Sequence, residues 1–211
     1  MVQQFGVGQH PDLPPYLVHF TGRPRGVYSP PLGVPAKPED RLAMILTCGF
    51  IQGFATFGTW GPVGCTSEVS GAGLAALFST GVTGRGPYEP WAVVLKRDAA
   101  IDLGFRPVWY MDSQERVATK DLPVRMLDRR VTYNPGLEDW LAEREWRFCW
   151  GDMEIRPGNV PAISLPGLVT AVIVGRSGWQ PLRGPAPVWF DGIPRCLWDG
   201  QNLVMDGVFA P

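Results

Sequence analysis

Five reactive or charged side chains occupy positions from which they could form one site. His19 lies near the end of a short apolar stretch, YLVHF, and Thr21, Arg23 and Arg25 follow it. An imidazole can position a hydroxyl or move a proton near neutral pH, and guanidinium groups bind phosphates well. Much later, AEREWRF carries Glu145, whose carboxylate could accept a proton or stabilise a developing positive charge. These residue types predict a site that joins the beginning of the chain to its later half.

The segment 136–150, GLEDWLAEREWRFCW, begins as a helical turn and then alternates as a strand does. The alternation places Trp146 and Phe148 toward a core, where aromatic side chains pack. It places Glu145, Arg147 and Cys149 on the other side. If the strand also includes Glu143, the two glutamates share a face, and their repulsion raises the pKa of one of them.

Short elements must position these residues. Periodicity predicts strands at 16–20, 91–96, 107–111 and 168–175. It predicts a helix over 39–48 that ends at Gly49, a helix capped by Thr66 or Ser67 that runs to about Ser79, and a short helix over 97–104. A hairpin turning at Asp199-Gly200 closes the chain. The fold predicted is therefore α+β, with a mostly antiparallel sheet and two or three short helices.

The expected organisation is one domain with short extensions. Residues 1–15 are polar and Pro-rich and predict an N-terminal arm, residues 16–180 the main domain, and residues 181–211 a C-terminal hairpin extension packed on it. Between 22 and 38, prolines and glycines form a loop longer than the usual connection, which makes it a candidate functional loop.

Composition excludes several classes of protein. Of 211 residues, 45% are hydrophobic and nine are Trp, as expected of a folded globule, and the net charge of −1 gives no global attraction to nucleic acid or membrane. Local positive charge occurs in RPRG and LDRRV (127–131). Four cysteines without a C-x-x-C pair, and only two histidines, do not make a finger-type zinc site. No signal peptide or membrane-length apolar run is recognisable, so we expect a cytoplasmic protein with reduced thiols.

Several motifs, in order, resemble a known family. HFT (19–21), AMILTCGFI (43–51) and AEREWRF (142–148) are similar to the motifs of the histidine-class ADP-ribosyltransferases, nearest in pattern to the DarT toxins that modify DNA. GCTSE (64–68) completes a pattern that also resembles uncharacterised bacterial sequences associated with defence. The resemblance spans roughly residues 16–175.

The resemblance implies an ADP-ribosyltransferase-like split sheet and NAD as a substrate. It implies that His19 and Thr21 hold the ribose and nicotinamide and that Glu145 is catalytic. Arg23 or Arg25 would hold the diphosphate, and Tyr88, with Tyr110 competing, would supply the middle aromatic. The acceptor implied is a nucleic-acid base or a protein side chain, and the role implied is that of a toxin or phage-defence effector. An antitoxin or another protein is a further expected partner, and a membrane is not.

Each of these residues also has an ordinary structural interpretation. A single imidazole on an apolar strand is often a hydrogen-bonded core residue, and Arg23 and Arg25 could lie in a solvated loop. Glu145 could be an exposed carboxylate paired with Arg144 or Arg147. If so, the fold would be a non-catalytic binding or assembly module, with TWGPVG and PAPVWFDGIPRCLW as contact surfaces.

A second enzymatic alternative uses Cys65. The predicted helix begins just after it, and a helix N-terminus stabilises a thiolate. With His19 as base, the pair would make a cysteine hydrolase. The competing interpretation is a buried, inert thiol, since free cysteines are among the most buried residues.

Overall fold

One large, mostly antiparallel sheet forms the centre of the molecule. The computed structural model describes residues 13–23, 33–56, 58–81, 86–135, 141–151, 161–181 and 188–209. Eight strands form the main sheet in the order β12-β11-β10-β4-β1-β3-β8-β5, and β2-β9 and β6-β7 form two small sheets. The predicted α+β class with a mostly antiparallel sheet is confirmed. The strands are β1 (Tyr16–Phe20), β2 (Phe50–Gln52), β3 (Val63–Ser67), β4 (Ala92–Lys96), β5 (Arg106–Pro107), β6 (Trp109–Met111), β7 (Arg130–Thr132), β8 (Glu145–Cys149), β9 (Ala162–Ser164), β10 (Val169–Val174), β11 (Pro194–Trp198) and β12 (Leu203–Val208).

The helices are short, and the described residues contain two helices, α4 and α5, that were not predicted. The additional pair, α4 and α5, lies between β6 and β7. A capping box begins α4, because the Asp112 side chain accepts from the Glu115 N–H while the Glu115 side chain accepts from the Asp112 N–H. The helices are α1 (Pro38–Cys48), α2 (Gly71–Ser79), α3 (Arg97–Leu103), α4 (Ser113–Ala118) and α5 (Val124–Leu127), and a single 3₁₀ turn spans Leu141–Glu143.

Helix α1 ends where its sequence predicts and begins one residue earlier than predicted. Pro38 fits the first helical position because its missing N–H would have no intrahelical partner there. Gly49 ends the helix with a φ of 75°, and its N–H donates to the Ile45 carbonyl. The observed helix is therefore one residue longer at its start than the predicted 39–48.

The centre of the sheet is buried on both faces. Along β4, Val93 and Leu95 face the main core beneath α1, whereas Ala92 and Val94 face a second core beneath α2. This alternation with a period of two is what a central strand requires when helices cover both faces.

One helix was predicted to begin near Thr66 or Ser67, and this predicted start is wrong. Those residues end strand β3, and the helix begins at Gly71 with Ser70 as its cap. Hydrogen bonding to both β1 and β8 holds β3 extended. Gly64 is required in this strand, because a Cβ there would lie 2.6 Å from Ile163 Cδ1.

The C-terminal hairpin turns where the sequence predicts and continues the main sheet. Gly200 has a φ of 102°, and the Asp199 side chain accepts from the N–H groups of Gln201 and Asn202. Strand β11 pairs in parallel with β10, and Phe209, after β12, is fully buried in the main core. Residues 1–12 of the predicted arm lie outside the described residues.

Two general features of the chain bear on its chemistry. Within the described residues, no helix has the length and apolar character needed to cross a membrane. All four cysteines are free thiols.

Candidate functional site

Glu145 begins β8 and is held by a buried arginine. Its two carboxylate oxygens accept from Arg147 Nε at 2.7 Å and Nη2 at 3.1 Å, and the two side chains are only 12% and 6% exposed. Arg147 Nη1 also donates to the Asp128 carbonyl at 2.6 Å. The predicted pairing with Arg147 is therefore present, but it is buried rather than exposed. A bidentate pair of this kind fixes the carboxylate in both position and orientation.

Two further groups lie beside Glu145. Cys65 lies opposite Arg147 in the β3–β8 register, and its side chain is therefore on the same face of the sheet as Glu145. The Glu145 N–H donates to the Tyr110 hydroxyl at 2.9 Å. Burial raises the pKa of Tyr110 to about 12, so the phenol is neutral at physiological pH.

A second carboxylate lies beside the first. Glu143 accepts from Arg23 Nη2 at 2.6 Å and from the Tyr88 hydroxyl at 3.2 Å, and the Arg23–Glu143 pair is buried. The Arg23 guanidinium stacks 3.8 Å from the centre of the Tyr88 ring, and Phe20 stacks on the same ring at 4.3 Å. Burial, and then the charge of Glu143, raise the pKa of Tyr88 well above its usual value.

The backbone turns sharply between the two glutamates. Glu143 ends the 3₁₀ turn, and β8 begins only at Glu145, so Glu143 is not part of the strand. Arg144 between them has a φ of 41°, in the left-handed region that non-glycine residues rarely adopt. We call Arg23, Tyr88, Glu143, Glu145 and Arg147 the glutamate cluster.

His19 lies apart from this cluster. Its Nδ1 is 2.8 Å from the Cys65 carbonyl oxygen. A carbonyl only accepts, so Nδ1 carries the proton and Nε2 of the neutral ring is an acceptor. Burial lowers the pKa of His19, which favours this neutral form.

The register of the sheet explains why His19 and Glu145 do not meet. Val18 pairs with Ser67, and Ser67 pairs with Glu145, so these three residues share one face of the sheet. His19 is the next residue after Val18 and belongs to the other face. Its strand is two strand spacings, roughly 10 Å, from β8.

Thr21 and Arg25 complete the residues expected at the site. The Thr21 hydroxyl is buried, 2.8 Å from the Pro38 carbonyl oxygen and 2.9 Å from that of Trp91. It therefore links the start of α1 to the start of β4, and its one proton is already used. Arg25 lies outside the described residues.

Cys65 does not have the environment of a nucleophile. It lies within β3, six residues before α2 begins, so the helix dipole does not act on it. Burial, and then the nearby Glu145 carboxylate, raise the pKa of its thiol well above the usual value. His19 contacts the carbonyl of Cys65 and not its thiol. This geometry gives no support to a cysteine hydrolase.

Sequence reasoning missed one contact inside the cluster and one buried ion pair outside it. It placed Glu143 beside Glu145 but not against Arg23, which lies 120 positions earlier. It also missed the role of the buried Glu68 in GCTSE, which pairs with Arg97 Nε at 2.7 Å and accepts from Trp146 Nε1 at 3.3 Å. The Glu-x-Glu spacing was a signal for the first contact, whereas nothing local indicates the second.

Known proteins add no assignment to this geometry. Comparison with protein-family models, with curated proteins and with solved structures finds no significant match. A functional conclusion must therefore come from the chemistry of the described residues.

Proposed function

We propose that this chain is an NAD-dependent ADP-ribosyltransferase and that the glutamate cluster contains its catalytic carboxylate. One observation carries the proposal: two carboxylates, two buried arginines and a tyrosine converge at the start of β8. The left-handed conformation of Arg144 supports it, because strained backbone is concentrated at functional sites.

The chemistry assigned to Glu145 follows from how NAD reacts. The bond between the nicotinamide nitrogen and ribose C1′ breaks, and nicotinamide leaves as a neutral molecule with the bonding electron pair. The sugar then resembles an oxocarbenium ion, whose positive charge a nearby carboxylate stabilises. A nucleophile of the acceptor bonds to C1′, and Glu145 takes its proton. Arg147 is a positioning residue that orients Glu145.

Binding of the dinucleotide requires side chains of the cluster to exchange their present partners for groups of NAD. Arg23 would release Glu143 and contact the diphosphate, because guanidinium groups bind both kinds of anion. Release would also uncover one face of Tyr88 for a planar ring. Nε2 of His19 would accept a hydrogen bond from a ribose hydroxyl if the dinucleotide crosses the end of β1, beyond the single registered pair of β1 with β3, Val18–Ser67. Thr21 has a supporting role, since its hydroxyl already holds the chain.

The test measures nicotinamide release from NAD by the purified chain, alone and with DNA, RNA or cell lysate. Glu145→Gln should reduce release at least about tenfold, which corresponds to about 1.4 kcal/mol of barrier. Glu39→Gln is the matched control, because Glu39 also pairs with an arginine at 2.6 Å but lies outside the cluster. The additive that accelerates release identifies the acceptor class.

Two results would overturn the proposal. One is no release under any condition from protein that circular dichroism shows to be folded. The other is release by Glu145→Gln equal to that by Glu39→Gln.

A non-catalytic binding module is the second candidate, and a specific observation favours it. Both carboxylates of the cluster already have an arginine partner, and two planar groups already stack on Tyr88. In this case the cluster is a rigid structural support, and calorimetry should detect no NAD binding at millimolar concentration.

A further inference from the structure

A groove with an excess of positive charge lies between α4 and β7. It has a volume of about 390 Å³. Three of its lining side chains are cationic and no carboxylate is among them. We call it the basic groove, and its lining residues are Ser113, Arg116, Val117, Lys120, Arg130 and Thr132.

Uncharged acceptors hold the two arginines of the groove. Arg130 is buried, and its Nη1 donates to the Arg116 carbonyl at 2.9 Å and to Thr119 Oγ1 at 3.1 Å. In the part of the chain that the structure describes, none of the three cations takes part in an ion pair. Burial, and then the charge of Arg116, lower the pKa of Arg130, and the charge of the Asp128 carboxylate offsets part of this effect. Like charges brought together in this way favour an anion between them.

An exposed indole belongs to a loop that approaches one residue of this groove. The side chain of Trp60 is 74% exposed, and its backbone N–H donates to Oδ1 of Asp128, two residues before Arg130, at 2.6 Å. The same loop approaches Arg116, because a Cβ at Gly58 would lie 3.8 Å from Arg116 Nη2. An exposed aromatic ring beside cations is the combination that binds a nucleobase and its phosphate together.

We propose that the basic groove binds the phosphate of a nucleotide and that Trp60 stacks on the base. The nucleotide is either free or part of a single strand, and both present the same chemistry. Arg116 and Lys120 supply the charge for the phosphate oxygens, and the hydroxyls of Ser113 and Thr132 can donate to them.

The groove is connected to the glutamate cluster through one small sheet. Strand β7, which carries Arg130 and Thr132, pairs with β6, and the hydroxyl of Tyr110 in β6 contacts the Glu145 N–H. A nucleotide in the groove would therefore lie on the element next to Glu145. The proposal itself does not depend on NAD chemistry, since binding alone tests it.

Calorimetry at low salt tests the proposal with three probes: AMP, a single-stranded octanucleotide and inorganic phosphate. Arg116→Gln and Lys120→Gln should each weaken nucleotide binding at least about threefold, and should reduce the salt dependence of octanucleotide binding by about one phosphate contact. Lys96→Gln is the matched control, because Lys96 is an exposed lysine at the end of β4. Trp60→Ala should weaken AMP binding about fivefold or more and leave phosphate binding unchanged.

The arms of the experiment separate the sources of the nucleotide. Binding of AMP supports a free nucleotide as the ligand. Binding of the octanucleotide without binding of AMP supports a single strand as the ligand. The proposal is overturned if no probe binds at millimolar concentration, if Arg116→Gln and Lys120→Gln bind as Lys96→Gln does, or if Trp60→Ala is without effect. Loss of acceptor-free nicotinamide release in the groove variants would also overturn it, because the groove would then belong to the NAD site.

Discussion

The glutamate cluster and the basic groove lie on either side of Tyr110 and neutralise their charge in opposite ways. In the cluster, Glu143 has Arg23 and Glu145 has Arg147 within 2.7 Å. In the groove, the hydrogen bonds of Arg130 go to carbonyls and a hydroxyl, and the Asp128 carboxylate acts on it without a direct bond among the described residues. A region whose charges are internally paired holds a geometry, whereas a region with unpaired charge attracts an ion from outside.

This difference also predicts how the two regions respond to substitution. A buried ion pair adds little net stability compared with apolar residues, yet removal of one partner leaves an uncompensated buried charge. Removal of an exposed cation that has no partner changes the free energy of unfolding only slightly.

The largest effect is expected from Arg147→Met, which leaves Glu145 buried without its partner. It should lower the free energy of unfolding by about 3–5 kcal/mol, measured by urea denaturation. Arg176→Met is the control, because Arg176 pairs with Glu39 at 2.6 Å but is 64% exposed, and its loss should be at most about 1 kcal/mol. Equal losses in the two variants would remove the distinction between buried and exposed pairs.

A double-mutant cycle of Arg23→Met and Glu143→Gln measures how strongly the second pair of the cluster is coupled. We expect a coupling free energy of about 1–3 kcal/mol, because both groups are buried and share the contact with Tyr88. Additive effects in the cycle would mean that the pair acts independently of its surroundings.

A smaller effect concerns His19, which lies outside both regions and is uncharged. Burial lowers the pKa of His19 in the folded chain. Below about pH 6.5, the usual pKa of an unfolded histidine, the unfolded chain therefore binds a proton at this residue more readily than the folded chain does. Stability should therefore fall as the pH decreases below about 6.5, by at most about 1.4 kcal/mol per pH unit from this residue. His19→Gln should remove this part of the slope, and parallel stability curves for the variant and the wild type between pH 5 and 7.5 would contradict the assignment.

The smallest effect is expected in the basic groove. Lys120→Gln should change the free energy of unfolding by no more than about 0.5 kcal/mol, because the side chain is exposed and has no ion-pair partner among the described residues. Thermal unfolding measures this change. A loss as large as that of Arg147→Met would mean that the groove is structural.

Sequence patterns predicted the elements whose apolar residues repeat regularly. Strand β1 was predicted with its observed bounds, and β10 to within one residue at each end. The predicted start of α2 was wrong because Thr66, Ser67 and Glu68 have the composition of a helix cap. Pairing with β8, and of Ser67 also with β1, keeps Thr66 and Ser67 extended, and no local pattern encodes this pairing. Helix α4 carries a capping box that was present in the sequence and was not used.

The site was predicted less completely than the fold. Alternation correctly placed Glu145 and Arg147 on one face of a strand, so their ion pair was within reach of sequence reasoning. The contact of Arg23 with Glu143 was not, because it joins a loop to a 3₁₀ turn 120 positions away. Of the basic groove, the sequence indicated only the part in LDRRV, which contains Arg130. Arg116 lies in helix α4 and Lys120 follows that helix, and no local pattern joins them to Arg130.

The order of the strands has a consequence for how the chain folds during synthesis. The central pairings join distant segments, such as Leu17 with Leu95 and Thr66 with Trp146, which are 78 and 80 positions apart. Strand β4 then requires β10, which ends at Val174. Loops of this length close slowly, so most of the protein must leave the ribosome before its sheet can form. Until then the apolar strands at the centre lack their neighbours and are exposed to aggregation, which makes shielding by a chaperone during translation an expected requirement.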